Sequence, residues 1–251
     1  MRFDSTGIAF ALLAVATPVM ADGPGFDRPG ISFGTGTLPP GSFDIEQGLP
    51  DMARDTADGT TTTLYSAGTL VRVGLAQSVE LQLSGALLNR LDERSGGVTA
   101  TQRGIGDSGV ALKLALPSTR ENFSWAALAG VTLDSGDPAF SGGATQYSLG
   151  VTGNCDLGAG RSLALYGNVD RAGSETVLTL SPAIGFALTE QVGGFVEAAG
   201  GFARDNKDYV AGGGLTWSPL PALQLDVYAD FGLTSQSTDL QAGVGVSFYV
   251  E

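Results

Sequence analysis

Large apolar residues alternate with small or polar ones in segments of about eight to fourteen residues along almost the whole chain, which predicts an all-β protein. Two further observations narrow this to a transmembrane antiparallel β-barrel of up-and-down topology with about twelve strands. Charged side chains fall on the small-residue face of the segments. The connections alternate between short turns and longer polar loops.

The leading segment is read first. Arg2 opens a short n-region, residues 8–15 are apolar, and Val19-Met20-Ala21 presents residues of the size signal peptidase reads. Residues 1–21 are therefore expected to be a signal peptide cut after Ala21, exporting the chain toward a bacterial, Gram-negative outer membrane. Residues 22–40 are too polar to span and are expected at the periplasmic mouth as a partial plug. Residues 41–251 are assigned to the barrel.

Strands are expected near Ile45, Leu70, Leu83, Leu112, Ala127, Leu149, Leu165, Ile184, Val196, Gly213, Val227 and Val246. In one of them Val110, Leu112, Leu114 and Leu116 alternate with Gly109, Ala111, Lys113 and Ala115; in another Leu223, Leu225 and Val227 alternate with Gln224, Asp226 and Tyr228. Short connections fall at 76–78, 117–122, 156–160, 189–191 and 218–221. Polar ones fall at 51–60, 92–103, 134–143, 172–175, 203–208 and 234–238. Short periplasmic turns opposite longer external loops are the pattern of an outer-membrane barrel.

The two faces differ in what their surroundings must be. Leu, Val, Ile and aromatic residues suit lipid, with Trp125, Tyr147, Trp217 and Phe248 placed as interfacial aromatics toward strand ends. Arg72, Glu80, Arg90, Lys113, Asp170, Glu197, Asp226 and Asp230 would be expensive in hydrocarbon and are expected to line a wet lumen. A soluble β-sandwich also alternates, but the small residues on the polar face and the leading segment speak against it. Twelve strands leave a bore between the filled interior of eight and the open channel of sixteen.

Composition excludes other classes. The chain has 251 residues, a net charge of −13, 38 glycines, one cysteine and no histidine. The acidic balance removes the basic footprint of a nucleic-acid binder. Without histidine a Ser-His arrangement is impossible, and no enzyme, cofactor or metal site is indicated. Gly104-Ile105-Gly106-Asp107-Ser108-Gly109 matches the dinucleotide fingerprint in letters only, because it enters a strand where the fingerprint needs a helix. Asp226 and Asp230 lie about 13 Å apart along one strand, too far for a glycosidase pair. Asp134 and Asp137 are read as part of a solvated acidic loop, and Cys155 has no partner for a disulfide.

Two stretches carry a family resemblance. Arg28-Pro29-Gly30, then Phe33-Gly34-Thr35-Gly36-Thr37 and Pro39-Pro40-Gly41, resembles the opening of the outer-membrane transporter family named for the MetA pathway of phenol degradation. Gly104-Ile105-Gly106-Asp107 with Lys113 beyond it is similar to that family's entry into a mid-barrel strand. The resemblance implies a porin-like barrel admitting small, including aromatic, molecules. The expected function is passive passage of small solutes. The alternative is a structural or adhesive barrel whose lumen is locked by ion pairs. Expected partners are outer-membrane lipid, a small-molecule solute and the barrel assembly machinery. That machinery reads a terminal aromatic, here displaced inward in Phe248-Tyr249-Val250-Glu251.

Overall fold

The computed structural model describes residues 25–204 and 206–251. The expected signal peptide and its cleavage site after Ala21 lie outside the described residues. Among the described residues thirteen strands follow in order: β1 (Phe43–Ala57), β2 (Thr60–Ala76), β3 (Val79–Ser95), β4 (Val98–Gly104), β5 (Ser108–Leu116), β6 (Phe123–Leu133), β7 (Gln146–Gly158), β8 (Arg161–Ala172), β9 (Glu175–Ala187), β10 (Val192–Phe202), β11 (Lys207–Leu220), β12 (Leu223–Gly232) and β13 (Leu240–Val250). Every sequential neighbour pairs antiparallel except β4 with β5, and β1 also pairs with β13, so the sheet closes on itself. Closure leaves no strand edge for lipid to confront.

The barrel wall has twelve staves. The long strand β3 pairs through its upper half with β4, from Asn89 opposite Gly104 to Ser95 opposite Val98. Its lower half pairs with β5, from Val79 opposite Leu114 to Ser84 opposite Gly109. β4 and β5 are thus two parts of one stave, broken at residues 105–107. Each of the twelve sequence-expected centres lies in a strand, but residues 92–103, expected as a loop, are a strand hairpin instead. Its residues are polar on both faces, so alternation gave no sign of it.

Burial is inverted relative to a soluble protein. Arg72, Glu80, Lys113, Asp44 and Glu46 are almost wholly buried, while Leu83, Leu112, Val151, Leu165 and Val227 are exposed on the outer face. An apolar exterior around a charged interior is stable in a bilayer and not in water. β2 and β3 each run 17 residues, against the roughly 9–11 a tilted strand needs to cross. Their upper hairpins therefore stand above the apolar band. The β1–β2 hairpin turns on Asp58 and Gly59, at φ 50° and 76°, the left-handed pair a two-residue turn demands.

Three neighbouring strands break register at one height. β1 bulges at Leu49 and Pro50, between Gly48 and Asp51. β2 has Ala67 between Ser66 and Gly68, facing Leu87 and Leu88 of β3 between Ala86 and Asn89. The extra residue in β3 reverses which face later side chains take.

Candidate functional site

The interior is defined by residues 25–42, which have no strand of their own and run along the inner wall. Their backbone needs partners, and the wall supplies carboxylates. Glu46 accepts from the Asp27 N–H at 2.7 Å and the Arg28 N–H at 2.5 Å. Glu197 accepts from Ile31 N–H at 2.8 Å, and Glu80 from Leu38 N–H at 2.9 Å. Buried N–H groups are seldom left unpaired, and charged acceptors make the stronger bonds.

Two ion-pair clusters fix this segment. In the first, Asp27 reaches into the wall and accepts from Lys113 Nζ at 2.8 Å and Gln82 Nε2 at 2.7 Å. Arg72 lies among four carboxylates: Glu80 at 2.8 Å, Asp44 and Glu46 at 3.1 Å each, and Asp27 at 3.5 Å. Strand register assembles the wall part of this cluster, since Arg72 is opposite Asp44 on one side and Gln82 on the other, and Glu80 is opposite Lys113. In the second cluster Arg28 holds Asp51 through both terminal nitrogens, at 3.0 and 2.9 Å, and Asp226 at 3.2 Å.

Small wall residues make room for the segment. A Cβ at Gly74 would collide with the Pro39 carbonyl and lie 2.6 Å from that of Leu38. A Cβ at Gly150 would lie 2.9 Å from the Phe33 ring, and one at Gly245 would strike the Arg28 guanidinium. Phe33 meets Tyr166 edge to face, ring centroids 5.7 Å apart, and packs in a buried cluster with Ile31 and Ala126.

Above this floor a cavity of about 110 Å³ opens into the lumen. Asp27 and Phe33 form part of its base, and Gln82, Ser84, Gln146, Ser148, Asn168 and Asp170 supply its polar wall. Asp170 accepts from Gln146 at 2.9 Å and Asn168 at 2.5 Å. Hydrogen-bonding groups face an aromatic edge across this cavity.

Of the residues expected in the lumen, Arg72, Glu80, Lys113, Asp170, Glu197, Asp226 and Asp230 lie on the inner face. Arg90 corrects the expectation. It lies on the outer face opposite Tyr65 and Arg103, with its side chain half exposed and paired to Asp92 at 2.9 Å. The β3 bulge between Glu80 and Arg90 breaks the parity on which its inward placement rested. Arg72 and Lys113 do close onto Glu80. Asp226 is held by Arg28, and Glu197 takes a backbone N–H. Tyr147, Trp217 and Phe248 are exposed on the outer face and Trp125 is half buried, its indole N–H bonded to Pro117 O at 3.0 Å.

Sequence reasoning placed none of Asp27, Arg28, Asp44, Glu46 and Asp51 in the lumen: it used Arg28 only as part of the resemblance motif and Asp51 only in an expected loop. Asp44 and Glu46 could have been found, because they alternate with Phe43 and Ile45 on an apolar strand. Asp27 and Arg28 give no local signal; Arg28 meets Asp226 across 198 residues of chain.

The fingerprint-like stretch has another task. Asp107 accepts from Ser135 and Gly136 N–H at 3.0 and 2.8 Å through one oxygen, and from Ser141 Oγ and Gly142 N–H at 3.0 and 2.9 Å through the other. Asp137 N–H donates to Ile105 O while its carboxylate accepts from Ile105 N–H, both at 2.9 Å. Ser141 also bonds Asp134. The loop of residues 134–145 is strapped to the break between β4 and β5.

An apolar-faced closed barrel, with a charged interior occupied by residues 25–42 of the same chain, defines the outer-membrane β-barrel class. Within that class the chain belongs to the family described as "Putative MetA-pathway of phenol degradation", which matches residues 26–250. Among solved structures it is similar to the COG4313 outer membrane channel from Pseudomonas putida F1, with a TM-score of 0.70 and 13% identity over 90% of this chain and 100% of that one. It is also similar to the KdgM porin, at TM-score 0.55 and 13% identity over 84% and 99% of the two chains. The NanC porin follows at 0.52 and 9% over 83% and 100%. At such identities the likeness is one of fold. No curated protein matches the chain.

Proposed function

We propose that the protein is an outer-membrane channel for passive passage of small solutes, aromatic compounds among them, with residues 25–42 as a partial plug of its bore. The observation that carries this reading is the lumen cavity, whose polar wall meets the Phe33–Tyr166 edge directly above the segment. Such a lining offers a hydroxylated ring both hydrogen-bond partners and an aromatic contact. The family description and the channel fold of the similar structures support it. In this reading lipid surrounds the apolar band, the termini face the periplasm, and assembly machinery reads the inward-displaced Phe248.

Planar-bilayer recording tests the reading. The wild-type chain is expected to give discrete conductance steps, and phenol added to one side should interrupt them. Silence from both the wild type and a Lys113→Met variant, which loosens the plug, sinks the channel reading. A second reading, a structural barrel with a closed lumen, is favoured by the closure of Arg72 and Lys113 on Asp27 and Glu80. That reading predicts the silence.

A further inference from the structure

Above the bulges β1 to β4 continue their pairing, and residues directly opposite one another share a face of the sheet. On the outer face Arg90 lies opposite both Arg103 and Tyr65. The row above joins Arg54 to Asp92 through Thr63, and the row above that holds Arg94 among threonines. Four of the chain's 13 basic residues therefore stand on one small face, all of them exposed, with Asp92 as the one carboxylate in these rows. The face is positive on a chain whose net charge is −13.

Its height fits a membrane boundary. From Val79 to Arg90 the tilted strand climbs roughly 25 Å, which is also about the height of the apolar band of such a barrel. Arg90 and Arg103 thus stand where hydrocarbon gives way to headgroups, with Tyr65 beside them as an interfacial aromatic. Directly below, a groove of about 440 Å³ runs over the outer surface, lined by Ala67, Leu87, Leu88 and Ile105, with Tyr65 and the two arginines at its upper end. The β3 bulge makes this groove apolar. Leu87 and Leu88 are consecutive, yet they are 72% and 73% exposed, because the inserted residue interrupts the alternation of faces.

We propose that this face is a docking site for an outer-leaflet lipid whose headgroup carries phosphate, with an acyl chain in the groove and the phosphate between Arg90 and Arg103. Like charges directly opposite on a sheet repel. Arg90 turns aside to Asp92 at 2.9 Å, and Arg103 has no ion pair among the described residues. A phosphate between the two guanidinium groups removes the repulsion and accepts from both, a geometry that suits the planar guanidinium fork. The order of the site, apolar below and cationic above, is the order in which a lipid presents its chains and its headgroup. Arg94 and Arg54 extend the positive face toward water, where the rest of a large headgroup lies. A second copy of this chain fits less well, because a symmetric contact would set arginines against arginines. The site rests on the outer-membrane placement in the proposed function, with the chain ends periplasmic, and is indifferent to whether the lumen conducts.

Native mass spectrometry of the full mature chain in detergent with added lipid tests the site without recording conductance, so its failure is separable from that of the channel reading. The probes are diphosphoryl lipid A, the same lipid after removal of its phosphates, and inorganic phosphate. The expected result is that the wild type holds the diphosphoryl lipid about tenfold more tightly than the dephosphorylated one, the scale of one charge-assisted hydrogen bond. Arg90→Gln with Arg103→Gln should abolish the preference. Arg120→Gln with Arg161→Gln, the same change of charge on exposed residues toward the opposite rim, should preserve it. Heat-modifiable gel migration checks that each variant has a closed barrel. Equal binding of the two lipid forms by the wild type means that the groove holds acyl chains alone, and overturns the site whatever the variants do. Displacement of the lipid by inorganic phosphate at equal concentration marks a site for the free anion, and overturns it as well. Loss of the preference in both double variants points to net charge rather than to this face, with the same consequence.

Discussion

Lys113 Nζ lies 2.8 Å from Asp27 Oδ1, both side chains are buried, and 86 residues of chain separate them. One belongs to the wall and the other to the segment inside it. This pair ties residues 25–42 to β5, and through Gln82 and Arg72 to β3 and β2. Removing one partner of a buried pair leaves the other charge without compensation.

Asp27→Asn is therefore expected to weaken docking of residues 25–42 by about 3 kcal/mol while the barrel stays closed. Chymotrypsin should then cut at Phe26 or Phe33, both buried in the native protein. Heat-modifiable gel migration should be unchanged. Native-like resistance of these sites would show that Asp27 is not the anchor.

Gly74→Val tests the same docking by shape. Its Cβ would occupy the space of the Pro39 carbonyl, and overpacking of this kind costs about 1–3 kcal/mol. Bilayer recordings should show larger or more frequent openings than the wild type. A conductance indistinguishable from wild type would mean that the segment does not obstruct the bore.

Asp107 supplies a pH dependence. Burial works against its charge, but the bonds from Gly142, Gly136, Ser141 and Ser135 outweigh burial and hold its pKa below the ordinary value. The stabilisation is then fully present above the unfolded value, about 4, and is lost as pH falls through the lower folded value. Hydrogen exchange at Gly136 and Gly142, corrected for intrinsic rate, should stay slow from pH 7 to 5 and rise only below about 4. Asp107→Asn should raise it at every pH; an unchanged rate would refute the strap.

Arg90 and Arg72 should behave oppositely. Arg90→Ala alters an exposed outer side chain and is expected to leave conductance as it was. Arg72→Ala strips the cation from among four carboxylates, so it should change both conductance and protease access to residues 25–42. Equal effects on conductance would contradict the outward placement of Arg90.

The two tryptophans, Trp125 and Trp217, report the membrane boundary. Both stand on the outer face, near the rim that carries the chain ends. Lipids brominated close to the headgroup should quench their fluorescence more than lipids brominated at mid-chain. The reverse order would displace the proposed apolar band.

Period-two alternation by itself determined the barrel, because a strand in a membrane wall has one face in lipid and one in the lumen, and each residue reports which. That is why Leu112 against Lys113, or Val227 against Asp226, was enough to place a strand and its faces. The alternation carries no information where both faces meet water, so it does not mark β4. It fails wherever a bulge inserts a residue, so it assigns Arg90 to the wrong face. Only the tertiary structure decided what fills the lumen. Asp27 and Arg28 become anchors because closure of the barrel brings Glu46, Lys113, Asp51 and Asp226 around them, and such long-range pairing of charges leaves no period in the sequence.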